Sequence, residues 1–358
     1  MKVAFIMTWL PNPIDPCVAL TSSRGLTGSE ISFFSLATEI RKLGHEVHLF
    51  SDVTSPGEIM GIMCEHVNAI DARRVEKWDV AIAWIDPKPL QKFQKSVKKI
   101  FNQQVNDFPY CVGWETYVDV ITSPSITHKM HLKGFTNFSG AWEVLPNGVD
   151  RITFYGHTNV SRRPPKMVYA SSPDRGLHWL LEAFPQIKRS VPEATLDVYY
   201  DWRNFYDNVR SANHETAHRL RYCKEMFDRL KDHGVTHHMS VSRSEIADVY
   251  SRARVLAYPC DPVSFTEGFS VTTLEAAISG CVPVIVGADA LGEIYSGYVP
   301  VVNAPYNDNK GQFIEWVIKL LSDDVECEKW KKSALSLLDK FEYNVIAKRL
   351  EEILKSCM

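Results

Sequence analysis

Two glutamates and an arginine stand where this sequence has chemistry to offer. Glu267 and Glu275 lie eight residues apart in FTEGFSVTTLEAAISGCVPVIVG, the first beside Gly268 and the second ahead of the apolar stretch AAISG. Read as a helix that begins at Gly268, the stretch aims the free N–H groups of Gly268 to Val271 at whatever lies beyond Glu267. Glu275 then sits up to about 12 Å further along at helical rise. A ligand that meets both carboxylates is elongated and polar at both ends. A nucleoside diphosphate sugar has that shape, with ribose hydroxyls on one carboxylate, the diphosphate on amides and a cation, and the sugar at Glu267. Surface helix charge is the ordinary explanation for two arbitrary glutamates, but an acid on a buried helix flank needs a partner.

Arg175 supplies the cation. It falls in SSPDRGLHWLLEAF at a strand-to-helix junction, where Pro173 and Asp174 suit a first helical turn. Its planar fork of donors matches phosphate oxygens. The plainer reading is an exposed arginine paired with a nearby acid. A third candidate is RGLTGSE, residues 24–30, with Gly25, Gly28 and Ser29 at the start of a helix. Glycines admit a ligand close to the backbone, and helix N-termini favour anions. The spacing is not G-x-G-x-x-G, so a nicotinamide cofactor finds little support. A glycine loop that only caps a helix explains the stretch equally well.

Parallel strands position all three. Residues 3–8 form a near-continuous apolar run, as a strand buried on both faces does. A helix over 29–43, stopped by Gly44, and the strand HEVHLFS follow. DVAIAW reads as a strand, 90–101 as a lysine-rich helix, and YCVGW and VDVITS as two more strands. The second half repeats the scheme with KMVYAS, a helix over 176–189, ATLDVYY, a long polar helix over 214–232, HHMSV, VLAYP, VPVIV and YVPVV, and then helices to the end. Such alternation implies an α/β protein with right-handed crossovers. The turn at Asn147-Gly148 and the polar stretch up to Pro164-Pro165 mark a boundary. The expected architecture is two Rossmann-like doubly wound domains with a cleft between them. Residues 1–150 and 151–340 form the two domains.

Composition excludes some functions. The 358 residues carry a net charge of −3, which gives no global case for nucleic acid. The eight cysteines form no C-x-x-C pair, so neither a zinc site nor a redox motif is expected, and a reducing, cytoplasmic compartment is. No apolar run reaches the roughly 20 residues of a membrane span. Lys88, Lys92, Lys95 and Lys99 recur at i, i+4, i+7 and i+11, so on a helix they share one face. That face is either a solvated flank or a peripheral contact to an anionic surface or acceptor.

The quoted stretches together resemble retaining glycosyltransferases of the GT-B fold, family 4 (group 1) in particular. EGFSVTTLEAAISGCVPVIV is similar to that family's E-x7-E region. TGSEISFFSLATEIRKLGHEVHLFS, VLPNGVD, DRGLHWLLEAFPQIKRSVPEATLDVYY and SRSEIADVYSRARVLAYP resemble its other motifs, in the same order. The likeness is weaker over 49–140, and 202–233 has no counterpart. The resemblance implies that Gly28 and Ser29 meet the donor diphosphate and that Arg175, usually a lysine, neutralises it. It makes 1–150 the acceptor-side domain and 151–340 the donor domain, with a C-terminal helix over about 341–358 that packs back on the first, and it places Glu267 beside the transferred sugar and Glu275 on the ribose hydroxyls. The amides of Phe269, Ser270 and Val271 then hold sugar and phosphate, Val241 and Ser242 flank the nucleobase, and His128 faces the sugar. A second cation, usual before the lysine, is missing, and Arg24, Arg243 and Lys129 are the substitutes on hand.

The resulting expectation is a hexosyl- or pentosyltransferase that takes a sugar from a nucleotide donor, such as a UDP- or GDP-sugar, with retention. No cofactor is expected. The absence of any Asp-x-Asp pair predicts no metal either. The acceptor stays open among glycans, lipids, small molecules and modified nucleic acid. The rival readings are a nucleotide-sugar epimerase of the same fold and a non-catalytic nucleotide-sugar binder.

Overall fold

The computed structural model describes residues 1–8, 13–21, 28–108, 112–155, 163–201 and 214–356. The chain divides into two compact units. The first comprises Met1–Gly148 together with Lys340–Met358, the second Val149–Asp339.

The first unit is built on an eight-stranded sheet of order β3-β4-β2-β1-β5-β6-β7-β8. Its strands are β1 (Lys2–Met7), β2 (Glu46–Ser51), β3 (Gly57–Ile59), β4 (Ile62–His66), β5 (Val80–Trp84), β6 (Lys98–Asn102), β7 (Val120–Ser123) and β8 (Ala141–Val144). Every pair is parallel except β3 with β4. Both faces are covered, so the central strands need no polar side. On one face Phe5, Met7, Ile82 and Trp84 pack under the helix Gly28–Lys42 and the helix Tyr343–Ser356. Ala4, Ile6, Ala81 and Ala83 face the opposite core with Phe50, Phe101 and Trp114. The chain's last described helix is thus a wall of its first unit. It contributes Tyr343, Ile346, Ala347, Leu350, Ile353 and Leu354 to the core.

The second unit holds a six-stranded sheet of order β11-β10-β9-β12-β13-β14, parallel throughout. The strands are β9 (Lys166–Tyr169), β10 (Thr195–Tyr199), β11 (Val235–His238), β12 (Val255–Tyr258), β13 (Val282–Val286) and β14 (Val301–Val302). β13 is buried along its whole length, as its unbroken apolar run requires.

Three expectations fail. The lysine-rich segment is not a helix. It makes a short 3-10 turn over Lys88–Lys92, where Pro89 is buried, and then enters β6 at Lys98. Lys88, Lys92, Lys95 and Lys99 therefore share no helical face. Lys92 pairs with Asp71 at 2.7 Å, and Lys99 is buried in β6, where burial lowers its pKa. The peripheral contact built on that face goes with it. Of YCVGW, residues 110 and 111 lie outside the described residues, and Trp114 opens a 3-10 turn, not a strand. Third, the helix that carries Glu275 begins at Val271, not at Gly268.

Candidate active site

The second sheet reverses its order between β9 and β12. β9 has β10 on one side and β12 on the other, and the later strands run outward from both. Segments that leave the carboxyl ends of such neighbours diverge, and the gap is the usual ligand site of an open α/β sheet. Arg175 follows β9. Tyr258 ends β12, and Glu267 lies in the segment beyond.

The β9 segment turns sharply. A 3-10 turn over Pro173–Arg175 ends in Gly176, at φ 119°. A Cβ on Gly176 would stand 2.0 Å from the Pro259 carbonyl oxygen, so only glycine lets the turn lie against the β12 segment. The Asp261 N–H then donates to the Arg175 carbonyl at 3.2 Å.

Glu267 is buried and takes two donors on one oxygen. Arg175 Nη1 donates to Oε1 at 2.7 Å and the Tyr258 hydroxyl donates to the same atom at 2.5 Å. The Ser171 hydroxyl donates to Tyr258 in turn, at 3.2 Å. Burial opposes the charge on Arg175, but the Glu267 carboxylate prevails and raises its pKa. Burial, with that carboxylate, holds the Tyr258 phenol well above its ordinary value, so the phenol stays a proton donor. Asp289, at φ 51°, fixes the backbone of the acid, since its Oδ2 accepts the N–H groups of Thr266 and Glu267 at 2.8 and 2.9 Å.

Ser270 caps the next helix from the left-handed region, at φ 65°, a costly conformation for a residue with a side chain. The Tyr295 hydroxyl holds it by donating to the Ser270 carbonyl at 2.7 Å. Phe269 is buried against the Tyr295 ring. Val271 opens the helix Val271–Ile278, and Glu275 sits buried at mid-helix. Arg243 Nη2 donates to Glu275 Oε1 at 2.7 Å, and the guanidinium lies over the Phe154 ring, 5.0 Å from its centroid. Burial raises the Glu275 pKa. Arg243 works against the rise and Asp150 adds to it. Ser242 is the N-cap of the helix Arg243–Arg252 and forms a capping box with Glu245, while Val241 is exposed.

The remaining candidates belong to the first unit. Gly28 and Ser29 open the helix Gly28–Lys42, whereas Arg24 and Gly25 lie outside the described residues. His128 is a core residue of the helix Ile126–Lys133, not a surface group. Burial pushes its pKa down to about 4, so the imidazole is neutral at pH 7. Lys129 is used structurally, donating to the Trp142 carbonyl at 2.9 Å. The second unit thus brings together Arg175 and Glu267, and separately Arg243 and Glu275. Tyr258 and Asp289 escaped the sequence reading. Tyr258 sits at the carboxyl end of a buried strand, and that position was its one signal. Among the described residues no group of His, Cys, Asp and Glu side chains is placed to hold a metal ion.

Residues 164–323 match the family model described as glycosyl transferases group 1. No curated protein matches the chain in sequence. Solved structures match over its full length, and their likeness shows the fold. Sucrose-phosphate synthase from Thermosynechococcus elongatus is 13% identical, covers 99% of this chain and 98% of its own, and superposes with a TM-score of 0.71. HepE from Anabaena, solved with UDP and glucose, is 14% identical with 99% and 100% covered and a TM-score of 0.70. Starch synthase IV from Arabidopsis thaliana, bound to ADP and acarbose, is 11% identical with 99% of each chain covered and a TM-score of 0.71. The chain has the two-sheet α/β fold of these proteins, GT-B.

Proposed function

We propose that this protein is a glycosyltransferase that moves a sugar from a nucleoside diphosphate sugar to an acceptor, with retention of configuration. One observation carries the reading. The Arg175–Glu267 pair stands at the carboxyl edge where the second sheet reverses, inside the segment that matches group 1 glycosyl transferases. Solved proteins of the same fold hold UDP and ADP.

In this reading the protein supplies charge and position. The diphosphate leaves with negative charge while positive charge develops on the sugar ring. Arg175 spends one of its five N–H donors on Glu267, and the others are offered to the departing phosphate. The helix N-terminus at Ser270–Val271 adds free amides. Fixed donors of this kind stabilise developing charge at no reorganisation cost. Glu267 Oε1 is engaged by Arg175 and Tyr258, so Oε2 is the oxygen that meets a sugar hydroxyl. Glu275 offers its second oxygen to the ribose in the same way, with Arg243 on the first. Val241 and Ser242 border the base; Gly28 and Ser29, at the start of a helix of the first unit, offer backbone amides to a phosphate, and His128, fully buried in its own helix, stays neutral. Arg175 and helix dipoles take the role that a divalent metal fills elsewhere.

The test is a thermal-shift screen against UDP-, GDP- and ADP-sugars, with and without a chelator, followed by NMR of the product anomer. A specific donor raises the melting temperature by mass action. Transfer then continues in chelator and retains configuration. No shift with any nucleotide sugar, or activity lost in chelator and restored by manganese, overturns the reading.

A further inference from the structure

Arg219 lies in the helix His214–Leu230, within the stretch that shares no motif with the resemblance. Its side chain is only 12% exposed. Its Nη1 donates to two backbone carbonyls, that of Asp174 at 3.3 Å and, more closely, that of Asp261. Nη2 bonds Glu215 Oε1 at 2.7 Å and lies 3.6 Å from Asp261 Oδ2. Asp174 immediately precedes Arg175, and Asp261 lies on the segment that leads from β12 to Glu267. One guanidinium therefore holds both segments of the crevice, by main-chain atoms.

We infer that Arg219 is a positioning residue that latches the β9 and β12 segments together and so sets the Arg175–Glu267 geometry. It touches neither of those side chains in the described hydrogen bonds and acts through backbone. Carbonyl oxygens suit the task because their direction follows the chain, so a rigid fork that binds two of them fixes the path of two segments at once. The latch has support on both sides. Trp179 Nε1 donates to Asp261 Oδ2 at 2.8 Å, and the Asp261 N–H donates to the Arg175 carbonyl. Glu215 lies outside the latch, since it is exposed and binds Nη2, whereas Nη1 holds the two carbonyls. The consequence for transfer rests on the function proposed above. A loosened latch misplaces the cation and the acid in the transition state more than it weakens donor binding.

The experiment compares amide hydrogen exchange in Arg219→Met, Arg219→Lys and Glu215→Gln with the unaltered full chain. Arg219→Met should speed exchange about tenfold in both 171–176 and 259–268, the loss of a charge-assisted bond to each, while β9 and β12 stay protected. Arg219→Lys, one point charge in place of a fork, should fall between, and Glu215→Gln should leave both segments unchanged. With a donor in hand, Arg219→Met should lower kcat about tenfold and shift KM less than twofold. Faster exchange in neither segment, in only one, or throughout the unit overturns the latch. Should the unaltered protein bind no nucleotide sugar, the transferase reading falls, and exchange alone still decides on Arg219.

Discussion

Glu267 and Glu275 are both buried, and each accepts an arginine donor at 2.7 Å, yet their surroundings differ. Glu267 also takes the Tyr258 hydroxyl and has its backbone tied to Asp289. Its substitution should act on the reacting sugar. Glu267→Gln should lower turnover, whereas Glu275→Gln should mainly weaken donor binding, by about 1.5–3 kcal/mol for lost charge-assisted bonds. Steady-state kinetics beside nucleotide titration checks the pair, and an effect of both on KM alone would reverse the assignment for Glu267. Tyr258→Phe keeps the ring edge-on to Tyr169 and deletes the hydroxyl that donates to Glu267 and accepts from Ser171. It should cost turnover about tenfold with a melting temperature near that of the unaltered protein. In the sequence Glu275 stood out for the apolar AAISG that follows it and Arg175 for its strand-to-helix junction; both glutamates are buried, and Arg175 does pair with a nearby acid, Glu267. Tyr258 did not stand out, because an aromatic at the end of an apolar strand looks like core packing and is also that.

At the level of elements, position depends on a glycine and on where helices begin. Gly176→Ala would drive a Cβ into the Pro259 carbonyl from a left-handed backbone. It should destabilise the second unit by at least about 2 kcal/mol and part the two segments, which chemical denaturation and nucleotide titration would both register. The same level shows why patterns misled. Lys88 to Lys99 has helical spacing, but Pro87 and Pro89 break its start and Ile100-Phe101 belong to an inner strand between β5 and β7. Lys98 and Lys99 open that strand, and Lys99 is buried in it, so a lysine's charge says little about the element. The start of the Glu275 helix was misjudged for a different reason. Ser270 adopts a left-handed cap that propensity disfavours and that the Tyr295 hydroxyl secures from a distant segment. The alternating strands and their buried runs were legible because parallel sheets demand them. β3 has only three residues, and β4 and β8, toward the ends of the sheet and only partly buried, lack the unbroken apolar run of the inner strands.

On the scale of the molecule, acid is a specific threat. Burial depresses His128 to about 4 and His178 to about 3, so both stay neutral in the fold. Unfolded, each takes a proton near its ordinary value of 6.5. The stability they contribute is therefore complete above pH 6.5 and drains as the pH falls toward the folded values, by up to about 1.4 kcal/mol per unit for each. Urea unfolding at pH 7, 5.5 and 4.5 should show the decline, and His178→Gln should flatten it. Leu350→Ala in the last described helix should cost about 2–5 kcal/mol, read from the unfolding midpoint of the first unit. That helix has another consequence, in the order of synthesis. The ribosome makes 1–148 before 149–339, but the core over Phe5 and Trp84, already covered by the helix Gly28–Lys42, lacks its second wall until 343–356 emerges. Meanwhile 149–339 is delivered as one continuous piece and can close as soon as it clears the exit tunnel. At synthesis rates of about 5–20 residues per second, the earliest strands wait for roughly 10–40 s with part of an apolar face open to the cytosol of any expression host. The part of the chain born first is the part finished last. A nascent-chain pull-down should therefore find chaperones on the first unit long after the second has let them go, and 149–339 should express in soluble form where 1–148 does not.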